Sequence, residues 1–158
     1  MKMISRRLFP AIRYRKTNQS RKQLKDMEKP YANFSDEGKV IEPGLDSVVI
    51  RHYVAGIVGG RTLDVSEFSE KVIRAGHVII RDKENDIYKP MPVQDGAYGS
   101  LPGNHEYVGV LRSTVTADCP VAAIMYSGEV NDVASPYPVD TIKTALLTAV
   151  PTLVFKHD

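Results

Sequence analysis

Ser47-Val48-Val49-Ile50-Arg51-His52-Tyr53-Val54-Ala55-Gly56-Ile57-Val58 is the stretch on which the fold turns. Half of these residues are Val or Ile, and the run stops at Gly59-Gly60. β-branched side chains on a pleated backbone, bounded by glycines, read as a strand beginning at Ser47. Downstream the same signal recurs in short pieces. Arg61-Thr62-Leu63-Asp64-Val65 reads as a second strand, and Val72-Ile73 leads through Ala75-Gly76 into a third at His77–Arg81. Asp82–Asp86 is a polar turn, and Ile87–Val93 follows as a strand carrying Pro90 and Pro92. Proline lacks the backbone donor a ladder needs, so that strand is confined to a sheet edge or a non-ladder position.

Residues 94–105 contain Gly96, Gly99, Pro102 and Gly103 and read as a loop. Glu106–Thr116 reads as a strand, Val121–Tyr126 as a buried one, and Gly128–Asn131 opens another short segment. One helix is expected, over Asp140–Ala149. Val139, Ile142, Leu146 and Ala149 would share its apolar face, Asp140 or Thr141 would cap it, and Pro151 would end it. Thr152–Phe155 is a last strand. The fold class is therefore β-rich α+β: a small barrel- or sandwich-like domain with one C-terminal helix, large enough for a modest core.

Upstream of Ser47 the character changes. Residues 1–34 hold ten Lys and Arg against Asp26 and Glu28, a net +8, while residues 35–158 hold eleven against seventeen Asp and Glu, a net −6. This divides the chain into a basic, extended N-terminal arm at 1–46 and a β-rich body at 47–158. Within the arm, residues 16–28 could form a short polar helix, but Leu24 and Met27 alone are too thin a stripe to dock on a core. Residues 30–46 are rich in turn formers and read as irregular.

Several classes fall away. No apolar run approaches the roughly 18 residues of a membrane span. The apolar fragment Leu8–Ile12 is too short and too broken by Arg and Pro10 for a secretory signal, so an intracellular origin is expected. One cysteine, Cys119, allows no internal disulfide, and His52, His77, His105 and His157 have no metal-ligand spacing.

The chemical motifs favour plain readings. Gly56-Ile57-Val58-Gly59-Gly60-Arg61 lacks the following helix of a phosphate loop and reads as a turn. Asp82–Asp86 lacks the ligand pattern of a calcium loop. Cys119, held extended before Pro120, reads as a small buried residue. No cofactor is expected and nothing compels an enzyme. The enzyme alternative would assemble a site from Asp64, His77 and His105. The arm, with Phe9 and Tyr14 among its charges, could touch single-stranded nucleic acid, but an acidic protein surface accounts for the same charges and is preferred.

Five stretches, taken in order, carry a resemblance. They are Val72-Ile73-Arg74-Ala75-Gly76-His77-Val78-Ile79-Ile80, Tyr88-Lys89-Pro90-Met91-Pro92-Val93, Tyr107-Val108-Gly109-Val110-Leu111, the run Pro120–Asn131, and the C-terminal helix with Leu153-Val154-Phe155. In this order they resemble the head decoration and head fiber proteins of tailed phages, including copies resident in Bacteroides-type genomes. The resemblance covers about residues 60–155 and leaves the basic arm outside. It implies a small β-rich structural protein without catalysis. Such a protein is made in the host cytoplasm, trimerises, and sits on the capsid surface of the virion, where it cements the major capsid protein or bears a fiber. By the same resemblance, an N-terminal segment at 38–50, with Val40, Ile41, Val48, Val49 and Ile50, would add a strand to the capsid protein's sheet. Arg6, Arg7, Arg13, Arg15, Lys16, Arg21, Lys22 and Lys25 would form the attachment arm. The expected partners are thus the major capsid protein and two further copies of the chain, with no membrane, and nucleic acid as the less favoured alternative.

Overall fold

The computed structural model describes residues 44–157. The expected helix at 16–28 and most of the irregular segment at 30–46 lie outside the described residues. The chain runs α1 (Asp46–Val49), β1 (Ile50–Gly56), β2 (Arg61–Thr62), β3 (Val72–Ile73), β4 (Val78–Asp82), β5 (Ile87–Pro90), β6 (Val93–Gln94) and β7 (Ala97–Tyr98). It continues through β8 (His105–Leu111), β9 (Val115–Thr116), β10 (Val121–Ala122), β11 (Ile124–Val130), α2 (Lys143–Ala149) and β12 (Leu153–Phe155). The expected β-rich class with a C-terminal helix is the class observed. The strands are more numerous and shorter than the sequence pattern implies, because bulges and turns divide them.

The main sheet has the order β1-β11-β8-β4-β5, antiparallel throughout, with β12 added parallel to β11. β8 and β12 share one side of β11. β8 takes Ile124 and Met125, and β12 takes Gly128 to Val130. Three two-stranded ladders, β2 with β10, β3 with β9, and β6 with β7, hold the connecting loops.

Side chains alternate across the sheet and build a core on each face. Val78, Ile80, Val110, Met125 and Val130 point to one face, where Ile142, Leu146 and Leu153 cover them. Ile79, Leu111 and Ile124 point to the other, under Leu63, Ile73 and Ala122. Each fully buried aliphatic side chain contributes about 1.5–3 kcal/mol relative to exposure.

Four local expectations are corrected. The strand expected from Ser47 starts at Ile50, because Asp46–Val49 winds into a helical turn. Its cause is distant in sequence. Thr114 donates its backbone N–H to Asp46 Oδ2 at 2.7 Å and its hydroxyl to Asp46 Oδ1, which pins the turn to the loop between β8 and β9. Val49, expected to face a strand partner, is instead 3% exposed and packs against Gly76. Gly76 has φ +82°, and a Cβ there would lie 2.4 Å from Val49 Cγ1. The position therefore requires glycine twice over.

The helix begins at Lys143, with Ile142 at its N-cap and no side-chain cap, so neither Asp140 nor Thr141 serves. Val139 and Ile142 are buried from the preceding turn, where Ile142 N–H donates to Val139 O at 3.0 Å. That turn shifts the apolar stripe, so Val150 is buried and Ala149 is exposed. The loop expected at 94–105 contains the hairpin β6–β7, turned by Asp95 at φ 51° and Gly96 at φ 76°. Two positive φ values in a two-residue loop match the twist of the flanking strands. Finally, Gly128 does not start a new segment. β11 runs through it, and a Cβ there would meet His52 O at 2.2 Å, so the close approach of β1 depends on glycine.

Candidate functional site

β1 is the outermost strand of the main sheet, and no described strand pairs with its outer edge. Its four residues Arg51, His52, Tyr53 and Val54 are all exposed, whichever face they belong to. The pairing with β11 slips at three points between Ile50 and Gly56. Such bulges increase twist and loosen the regular alternation. The Arg112 guanidinium, just past β8, lies 4.5 Å from the Tyr53 ring centroid, so this contact reaches from β1 across β11. Beyond Tyr53 and Val54, Tyr126 on β11 and Val154 on β12 are also exposed. Among the described residues no strand covers this edge, and apolar side chains stand beside it, the form of surface that accepts an added strand.

The chain reaches this edge from Gly44 through α1. Of the residues expected to add a strand elsewhere, Ile50 opens β1 and pairs with Val130, Val49 is buried, and Val48 is exposed on α1. Val40, Ile41 and the attachment-arm residues Arg6, Arg7, Arg13, Arg15, Lys16, Arg21, Lys22 and Lys25 lie outside the described residues.

A cleft of about 290 Å³ opens elsewhere, between the loop at 64–70 and the β5–β6 region. Phe68, Tyr137, Pro90 and Pro92 line it, with Asp64, Glu67, Glu70 and Asp95 against Lys89. Tyr137 donates its hydroxyl to Glu70. Burial, and then the neighbouring Glu70, push the Tyr137 phenol up to about 12, so it stays a donor at neutral pH. Behind it lies His77, 1% exposed. Phe68, Tyr98 and Tyr137 meet the imidazole edge to face at centroid distances of 5.5, 5.4 and 5.5 Å. His77 Nε2 lies 3.0 Å from Met91 O. Burial pushes the imidazole down to about 4, so the ring is neutral and acts as a packed, hydrogen-bonded core group.

No protein family matches this chain, and neither the curated proteins nor the solved structures contain a match to it.

The structure does not bring Asp64, His77 and His105 together. Asp64 accepts from Ser66 N–H at 3.0 Å at the rim of the acidic cleft. His77 precedes β4, whereas His105 pairs with Asp82 at that strand's far end. Five residues of strand separate them by about 17 Å. His105 Nδ1 lies 2.7 Å from Gly103 O. Cys119 is half-buried in the turn before β10, its N–H donated to Thr116 O at 3.1 Å. Among the described residues no group of three or more His, Cys, Asp or Glu is placed to hold a metal ion. No described helix is long and apolar enough to cross a membrane.

The two sequence motifs set aside as turns are turns. Gly59 and Gly60 have φ of 77° and 65°, and Arg61 folds back onto Gly60 O at 2.7 Å. Asp82 accepts from the Asn85 side chain at 2.8 Å, and then from Glu84 N–H at 2.9 Å, which holds its carboxyl below the usual range. Sequence reasoning missed the open edge itself. Its only local signal was the β-branched run without a charged or proline residue between Tyr53 and Val58.

Proposed function

We propose that this chain is a structural virion protein that attaches to the outside of a phage capsid as a homotrimer and decorates or stabilises the shell, without catalysis. The observation that carries this reading is the edge of β1, which no described strand covers and where His52, Tyr53 and Val54 are exposed. Strand addition at such an edge gains affinity from main-chain hydrogen bonds and needs no reactive side chain. The separation of Asp64, His77 and His105 leaves the enzyme alternative without a common pocket. The resemblance to head decoration and head fiber proteins supplies the capsid as the partner. Three copies would each contribute an edge and an N-terminal segment, so weak contacts add through avidity.

The test mixes the full chain with shells assembled from the major capsid protein encoded in the same genome. Co-sedimentation and a trimer in mass photometry at micromolar concentration are the expected results. A monomer that stays in the supernatant overturns the reading. The +8 charge of residues 1–34 favours one alternative, a nucleic-acid contact. It would show as binding to DNA that weakens steeply as salt rises.

A further inference from the structure

The turn of the β6–β7 hairpin, Asp95-Gly96, leaves its reactive groups free. We propose that Asp95 is a site of spontaneous backbone modification, in which its carboxyl group closes on the Gly96 nitrogen to a succinimide that reopens to isoaspartate. This goes beyond the capsid reading and does not rest on it.

Three observations single out this pair. The Asp95 carboxylate makes no hydrogen bond or ion pair with any described residue. The Gly96 N–H, whose nitrogen is the nucleophile, donates to no described residue either. Both residues are exposed, and a Cβ at Gly96 would meet nothing within 4 Å, so the ring has room to form. The other aspartates of the described body differ. Asp46 accepts from Thr114, Asp64 from Ser66 N–H and Asp82 from Asn85. Asp86 pairs with Arg81 and Asp132 with Lys143, and Asp118 also has a partner. Asp140 precedes Thr141, whose branched side chain crowds the nitrogen. The hairpin itself is short, its ladder consisting of Val93 with Tyr98 and Gln94 with Ala97. Such a ladder opens locally at little cost, which lets the Asp95 carboxyl swing into line with the nitrogen.

The reaction is a dehydration followed by a hydration. The Gly96 nitrogen attacks Cγ of the protonated Asp95 carboxyl, the N–Cγ bond forms and the Cγ–OH bond breaks. The amide proton leaves with that hydroxyl as water. A water then adds to one of the two ring carbonyls. At the former backbone carbonyl it breaks the original peptide bond, and the chain now runs through Cβ and Cγ with the α-carboxylate as its side group. Charge is conserved, so the effect is geometric. One more backbone carbon in a two-residue turn spoils its match to the twist of the flanking strands. The distortion falls on the ladder that holds Tyr98. Its hydroxyl accepts from Val78 N–H at 3.0 Å, and its ring meets His77 at a centroid distance of 5.4 Å. A change at the exposed tip thereby reaches the buried cluster around His77.

The test incubates the full chain for weeks at neutral pH and body temperature, beside the same protein unfolded in urea and beside Asp95→Gly. Glycine accepts the positive φ of that position without steric cost, so the variant keeps the hairpin and loses the carboxyl. Peptide mapping with electron-transfer fragmentation, and enzymatic methylation of isoaspartate, read the product. In the folded wild-type chain position 95 should be the main site of isoaspartate in the described body, and Asp95→Gly should lose that signal. Isoaspartate at position 95 in the unfolded sample but not in the folded one would overturn the proposal, because the hairpin would then protect the pair. Isoaspartate concentrated at another described aspartate would overturn it too. The isoaspartyl form, separated by chromatography, should exchange the Val78 N–H about threefold to tenfold faster, the worth of one hydrogen bond. An unchanged Val78 rate would overturn the path from the turn to His77.

Discussion

The two outer strands of the main sheet end it in opposite ways. At β5 the edge is closed. Pro90 has no donor to offer, Leu63 bridges to Tyr88, and Asp64 N–H donates to Tyr88 O at 2.7 Å, so the preceding loop covers the strand. At β1 no described strand or loop does the same, and Arg51 to Val54 stand exposed. A small β protein ordinarily blunts both edges, because an open one recruits unwanted strands. Among the described residues one edge is covered and the other is not. The difference lies in what covers each strand: a loop of the described residues lies along β5, and none lies along β1.

The comparison can be broken from the closed side first. Leu63→Ala removes a side chain that is 1% exposed and seats the covering loop on β5. A buried Leu→Ala change costs about 2–5 kcal/mol. The urea midpoint should fall accordingly, and hydrogen exchange should rise in β5 before β1. A midpoint within error of wild type would show that the loop does not close that edge.

Acid acts on the same side with a somewhat smaller effect. The unfolded chain protonates His77 near pH 6.5, whereas the folded protein resists until about pH 4. The unfolded state thus binds more protons in that window. Stability is at full strength above pH 6.5 and is lost as pH falls towards 4. The loss is at most about 3 kcal/mol for this group. Denaturation at pH 7 and pH 4.5 measures it, and His77→Gln should flatten the dependence. An equal slope in that variant would assign the acid sensitivity to other groups.

The smallest effect on stability belongs to the open side. Val54 is 59% exposed, so Val54→Lys should change the unfolding free energy by no more than about 0.5 kcal/mol. It places a charge on the edge and should abolish strand addition and the assembly that depends on it. Mass photometry reads the result, and a variant that assembles like wild type would move the contact away from β1.

What was legible in the sequence was the local part. The prolines of Ile87–Val93 placed that strand at an edge, and β5 lies at one. The periodicity around Ile142 and Leu146 found the helix, although its first turn was displaced. Asp95-Gly96 was a readable hairpin signal, hidden among neighbouring glycines and prolines. Other features arise from contacts between residues far apart in the chain. Asp46 meets Thr114 across 68 positions and turns an expected strand into α1. His77 gathers its aromatic neighbours from three separate loops and strands. Their convergence depends on the sheet order, which no local pattern specifies.

Val130 has Ile50 as its partner on one side and Phe155 on the other. The first residue of β1 and the last of β12 are therefore about 10 Å apart, two strand spacings across one rim of the sheet. Anything fused after Lys156 emerges close to the start of β1. A linker of a few residues would join the two ends of the described body into a circular permutant, and new ends could then be opened in the exposed turn at Lys83–Asn85.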